Sequence, residues 1–187
     1  MKPASPPKGA LLLCLDLQPV FLRAVADGPR ILGRCQFAVA SASGLGLAVA
    51  FTEQVPGKLG ATDPSLLALV DRPDVHAKEA FSALAPGTPA RAGILVGGKT
   101  EHLLLCGVET PVCVYQTALD ALKAGLTVTV LSDCVGARRE ADARACIEAL
   151  ARAGAHVLPA EAVFYSIIAG ASHPFFKSYT ELVKKHA

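Results

Sequence analysis

His102-Leu-Leu-Leu-Cys106-Gly107-Val108-Glu109-Thr110-Pro111-Val112-Cys113-Val-Tyr-Gln-Thr-Ala-Leu-Asp-Ala-Leu-Lys-Ala-Gly125-Leu-Thr127-Val-Thr-Val-Leu-Ser132 carries the pattern that decides the fold. An apolar run of strand length, His102–Val108, gives way to turn residues, then to a helical stretch over Val112–Ala124, then across Gly125 to a second run at Thr127–Ser132. Apolar runs that are continuous rather than alternating belong to strands covered by helices on both faces. Working outward, similar runs recur at Leu11–Asp16, Leu47–Thr52, Val75–Lys78 and Ala155–Leu158. Helices are expected over Gly28–Ser43, near Pro64–Val70, over Glu140–Ala153 and Glu161–Ala171, and near Pro174–Lys185. Gly125 and Gly154 stand where a helix ends before a strand, and Asp63-Pro64 places a cap ahead of a proline at the first helical position. The alternation predicts a single-domain, three-layer, doubly wound α/β fold: a mostly parallel sheet of about six strands with helices on both faces. The domain is expected over residues 10–187, behind a flexible, proline-rich N-terminal tail at residues 1–9.

Composition agrees. The chain of 187 residues is close to one domain of roughly 150, and 52% hydrophobic against 18% charged residues supply one buried core. Net charge is only +2, and no run of like charges exceeds Lys184-Lys185 or Arg138-Arg139, which argues against a nucleic-acid partner. The six cysteines sit mostly inside apolar runs and nothing ahead of them reads as a signal peptide, so reduced thiols and a cytoplasmic location are expected. Cys35–Thr52 passes eighteen residues without a charge, close to the length of a membrane span, but Ser-Gly-Leu-Gly interrupts it; it reads as a helix ending near Ser43–Gly44 and then a strand, with no membrane partner.

Two glycine motifs are decoys. Gly93-Ile-Leu-Val-Gly-Gly98-Lys99-Thr100 matches the phosphate-loop pattern in letters, but that motif needs a strand before it and a helix after it. Here Pro86-Gly-Thr-Pro-Ala-Arg-Ala precedes and the run at His102 follows, so Gly97-Gly98 reads as a turn. Gly44-Leu-Gly46 follows a helix, lacks the third glycine and is likewise a turn. None of His76, His102, His156, His173 and His186 has metal-ligand spacing, so no metal and no other cofactor are expected.

In such folds ligands bind beyond the carboxyl ends of the strands. The residues there are Asp16, Thr52–Gln54, Lys78, Gly107–Cys113 and Asp133. Taken singly, Asp16 reads equally as a helix cap, Lys78 as a solvated lysine and Cys113 as a core thiol. Together they are a base, a cation and a nucleophile at the ends of three strands. Cys113 in addition begins a helix, where the backbone dipole is expected to lower a thiol pKa and bind an oxyanion.

Leu15-Asp16-Leu17-Gln18, Phe51-Thr-Glu-Gln54-Val-Pro56, Lys78-Glu-Ala-Phe-Ser82 and Gly107-Val-Glu-Thr-Pro-Val-Cys113 resemble the successive motifs of the isochorismatase-like cysteine hydrolases. The likeness continues through Ser132-Asp-Cys-Val-Gly-Ala-Arg138 and Ser172-His-Pro-Phe-Phe-Lys177, and its style is that of the isochorismatase domain-containing branch. The resemblance implies a catalytic triad of Asp16, Lys78 and Cys113, and a cis peptide at Val108–Glu109. It also implies an oxyanion hole from the backbone N–H groups of Glu109 and Cys113. The activity it implies is hydrolysis of a C–N bond in a small amide- or ureido-type molecule through a thioester, without metal, by a homo-oligomer. Strand-end position and resemblance add Gln18, Phe21, Gln54 and Phe81 as substrate-binding residues. Thr52-Glu-Gln-Val-Pro replaces the Asp-x-His pair of nicotinamidases, and Pro111 stands where the branch often has histidine. The competing expectation is a non-catalytic or redox-sensitive binding or assembly protein on the same fold.

Overall fold

The computed structural model describes residues 8–95 and 99–186. Six strands form one sheet: β1 (Ala10–Leu15), β2 (Ala48–Gln54), β3 (Asp74–Lys78), β4 (His102–Val108), β5 (Thr127–Gly136) and β6 (His156–Leu158). Their order is β3-β2-β1-β4-β5-β6 and every neighbouring pair is parallel. The helices are α1 (Pro19–Ala24), α2 (Gly28–Gly44), α3 (Pro56–Leu59), α4 (Pro64–Leu67), α5 (Pro89–Ile94), α6 (Tyr115–Lys123), α7 (Glu140–Arg152), α8 (Ala160–Ile168) and α9 (Phe176–Lys185).

The continuous apolar runs are explained by two cores. Leu12, Cys14, Leu104 and Cys106 point to the face covered by α2, α8 and α9, where Phe37, Phe164 and Tyr179 pack. Their neighbours Leu11, Leu13, Leu15, Leu103 and Leu105 point to the other face, against Ala90 and Ile94 of α5, Ala118 and Ala121 of α6 and Leu150 of α7. A strand alternates its side chains between faces, so burial on both leaves no polar position in the run. Asp63 caps α4 through the Ser65 N–H, and Gly125 and Gly154 close α6 and α7 with positive φ.

Three short helices, α1, α3 and α5, lie where no helix was expected. Each begins at or next to a proline and is too short for an amphipathic period to show. The expected helix at Glu161–Ala171 stops at Ile168, because Ala169 turns to φ +60°. β5 runs past its expected end at Ser132 to Gly136. While β4 advances from Leu105 to Gly107, β5 advances from Val130 to Val135, and this bulge carries Asp133 and Cys134. The phosphate-loop letters do run from helix to strand: Gly93 lies in α5 and β4 begins at His102, while the turn expected at Gly97-Gly98 falls outside the described residues. α2 ends at Gly44 and Gly46 turns with φ +72°, and among the described residues no helix is long and apolar enough to cross a membrane.

Candidate active site

The chain runs outward from β1 to β2 and β3, then returns to β4 on the other side of β1. The carboxyl ends of β1 and β4 therefore diverge and open a crevice. Asp16 follows β1 directly with φ +52°, a left-handed conformation that aspartate tolerates better than most residues. Cys113 follows β4, within a single π-helical turn, Thr110–Val114, that leads into α6. The Glu109 carbonyl accepts from the N–H groups of both Val112 and Val114, which fixes this turn. The expected single helix from Val112 is thus two pieces, and Cys113 sits in the wide turn rather than at the head of a regular helix. Such turns are frequent at functional sites. The Val108–Glu109 peptide is cis. Gly107, at φ +119°, is required by close approach, since a Cβ there would collide with the Leu15 carbonyl.

Lys78 closes β3, two strands from β1, and reaches the crevice across β2. Register makes this possible: Thr52 pairs with Leu15, and Gln54 pairs with Lys78. Lys78 Nζ donates to Asp16 Oδ2 (2.7 Å), Gln54 Oε1 (2.6 Å) and the Phe81 carbonyl (3.1 Å), and lies 3.6 Å from Cys113 Sγ. Asp16 Oδ1 accepts from Thr52 Oγ1 at 2.7 Å, and the Asp16 N–H donates to the Thr52 carbonyl. The Asp16–Lys78 ion pair is out of contact with water, its side chains 1% and 0% exposed. A charge in that setting persists only when paired and hydrogen-bonded, and both are.

Burial and then the Asp16 carboxylate push the Cys113 thiol up to about 12, the Lys78 ammonium pulling the other way. This corrects the expectation of a thiol acidified by a helix N-terminus: desolvation and a neighbouring anion outweigh the dipole here. At neutral pH the thiol is protonated and stands beside a carboxylate able to take its proton.

The crevice is a cavity of about 260 Å³ lined by Asp16, Phe21, Gln54, Phe81, Val108, Glu109, Val112, Cys113 and Arg138. Phe21, Gln54 and Phe81 are brought to it. Gln18 is not: its fully buried amide is occupied by the Gln54 N–H and carbonyl and the Gly60 carbonyl, so it braces Gln54 from behind. Asp133, taken from sequence as a strand end, lies in the β5 bulge and accepts from Arg34 and the Ala160 N–H, away from the crevice. Sequence reading assigned no role to Thr52 or Arg138. Thr52 stood among the strand-end residues without a function, and Arg138 falls two residues beyond the true end of β5, a signal visible only once that end is known. Among the described residues no group of three His, Cys, Asp or Glu side chains is placed to hold a metal ion.

A cysteine, a carboxylate and a lysine from the ends of three parallel strands thus converge on the crevice between β1 and β4. The isochorismatase domain profile matches residues 10–162, and the chain belongs to the isochorismatase family of hydrolases. It is 33% identical to isochorismatase domain-containing protein 2A of Mus musculus, over 96% of this chain and 84% of that protein. It is 32% identical to the secreted isochorismatase effector Isc1 of Phytophthora sojae, over 96% and 87%. A solved structure, the MAR1 ribonuclease of Caenorhabditis elegans, superposes with a TM-score of 0.88 at 30% identity, covering 96% of this chain and 91% of that one.

Proposed function

We propose that this chain is a metal-independent cysteine hydrolase that cleaves the C–N bond of a small amide- or ureido-type substrate through a thioester. The observation that carries the reading is the meeting of Asp16, Lys78 and Cys113, from three strand ends, at one small cavity. The Cys113 sulfur adds to the substrate carbonyl carbon as its proton passes to the Asp16 carboxylate, so no free thiolate has to be maintained beforehand. The negative charge that forms on the carbonyl oxygen is received by the backbone N–H groups of Glu109 and Cys113, an arrangement worth roughly 3 kcal/mol per donor. Collapse breaks the C–N bond, and the leaving nitrogen takes the proton from Asp16. Water then adds to the thioester carbonyl, returning a proton through Asp16 and restoring the thiol. Lys78 holds Asp16 in place and keeps positive charge beside the sulfur throughout. The enzyme works as a homo-oligomer in the cytoplasm.

The protonated resting thiol favours one rival, a binding or assembly protein in which Cys113 is inert. Ammonia release from a panel of small amides and ureas, measured beside thermal melts, separates the two. Turnover by the wild type that disappears in Cys113→Ala and Lys78→Met, with a folded melt retained, supports the enzyme. Turnover surviving in either variant removes the triad assignment.

A further inference from the structure

Four charged side chains belong to the crevice, and they divide unequally. Lys78 is enclosed by Asp16, Gln54 and backbone carbonyls and does not line the cavity, so among the described residues the cation on its wall is Arg138. Arg138 is already engaged: its Nε donates to Glu109 Oε2 at 2.9 Å. Glu109 is the more sheltered partner, its side chain 14% exposed against 66% for Arg138, so the carboxylate stands inside and the guanidinium outside. The wall thus presents two carboxylates, Asp16 and Glu109, and one neutralised cation, over a surface otherwise made by Phe21, Phe81, Val108 and Val112. At about 260 Å³ the space falls below the roughly 300 Å³ at the lower end of usual ligand cavities.

We infer that the substrate enters as a small amide with an apolar acyl group that carries no anionic charge, and that Glu109 enforces this by holding Arg138 away from anions. An incoming carboxylate would lose its hydration against apolar walls and meet Asp16 and Glu109, with no unengaged cation to receive it. The Glu109–Arg138 pair is therefore a determinant of substrate charge, which the triad alone leaves open. This inference rests on Cys113 being the nucleophile that faces the cavity.

Iodoacetamide and iodoacetate test it, because they alkylate the same thiol, differ little in size and differ by one charge. Their rate ratio at Cys113, read by peptide mass on the full chain, cancels the thiolate fraction common to both. Relative to the ratio measured on 2-mercaptoethanol, a preference for iodoacetamide of about tenfold is expected, the size of one lost charged hydrogen bond. Glu109→Gln frees Arg138 and is expected to remove most of that preference, whereas Arg138→Gln leaves Glu109 unpaired and increases it. Equal or faster reaction with iodoacetate in the wild type, or an unchanged ratio in Glu109→Gln, overturns the inference while leaving the nucleophile in place. A Cys113 thiol held near 12 by burial and Asp16 can also resist both reagents at neutral pH, and the nucleophile reading is then tested by turnover of Cys113→Ala. The charge preference is then read from melting temperature: a rise in isobutyramide and none in isobutyrate supports it, and any other result overturns it.

Discussion

Cys113 and the thiols of the core are the same group in two settings. Cys14 and Cys106, in register on β1 and β4 with sulfurs 3.5 Å apart, sit near Cys35 and Cys134 between the sheet and α2. Burial raises Cys14 and Cys134, and Cys35 and Cys106 are raised first by hydrogen bonds among the thiols and then by burial. Cys113 is raised as well, chiefly by burial, with the Asp16 carboxylate and the Lys78 ammonium beside it and a cavity in front; Cys134 also has a carboxylate (Asp133, 3.6 Å) and the Arg34 cation near it, but it is fully buried. Burial by itself makes a thiol unreactive, and a neighbouring carboxylate does not change that at Cys134; the difference at Cys113 is room for an electrophile beside the base.

The sharpest break in that comparison is a pair of truncations. Cys113→Ala is expected to abolish amide hydrolysis with little change in melting. Cys106→Ala is expected to keep turnover and to lose about 1 kcal/mol of stability to a small cavity. A turnover assay and a urea titration of both variants check this.

Next in size is Asp16→Asn, which should lower turnover by roughly 10²- to 10⁴-fold, the usual contribution of a positioned base. It should at the same time make Cys113 more reactive to iodoacetamide at fixed pH. Removing the carboxylate that raises the thiol leaves only burial against the Lys78 ammonium, and each unit of fall gives about tenfold more thiolate. Alkylation and catalysis moving in opposite directions would mark Asp16 as proton acceptor; both falling together would mark it as a structural brace. Since losing one member of a buried ion pair costs about 3–5 kcal/mol, Asp16→Asn/Lys78→Met, which removes both charges, controls for folding.

Alkaline pH sharpens the comparison from the core side. Cys14, Cys35, Cys106, Cys113 and Cys134 all have folded pKa values above the ordinary 9.0. Above that value the unfolded chain binds fewer protons than the folded one, so stability is complete below about pH 9. It is then lost as pH rises towards the folded values, about 12 for Cys113. Every thiol so raised adds to the fall in that window. Melting temperature is expected to fall steeply above pH 9, and Cys106→Ala to show a shallower fall than the wild type. Equal slopes would show that the thiols titrate alike in both states.

The smallest effect concerns Thr52. Its hydroxyl donates to Asp16 Oδ1 and leaves Oδ2 to Lys78, so Thr52→Val is expected to lower kcat about tenfold with little change in KM. Thr52→Ser should restore most of it; a loss that serine fails to repair would assign Thr52 to packing alone.

Strong local signals were legible in the chain. The β4 strand, the Asp63-Pro64 cap and the glycines after α6 and α7 are decided by neighbours in sequence and appear where their letters place them, while the helix after β4 is split by the wide turn at Thr110–Val114. The short helices α1, α3 and α5 left no such trace, since four to six residues carry no period. Proline at their first turn reads equally as a breaker or a starter. The β5 bulge was equally silent, because it is a property of pairing with β4, and with it went the true placing of Asp133 and Arg138.

What the sequence determined by itself was the alternation of buried strands and helices, and the presence of an acid, a lysine and a cysteine at strand ends. Tertiary structure decided how they act. Sheet order carries Lys78 across β2 to Asp16, and the bulge brings Arg138 to Glu109. Burial and the neighbouring carboxylate hold the Cys113 thiol near 12, where the sequence had suggested acidification. Hydration and distance between charges from different strands set these outcomes, and neither quantity is written along the chain.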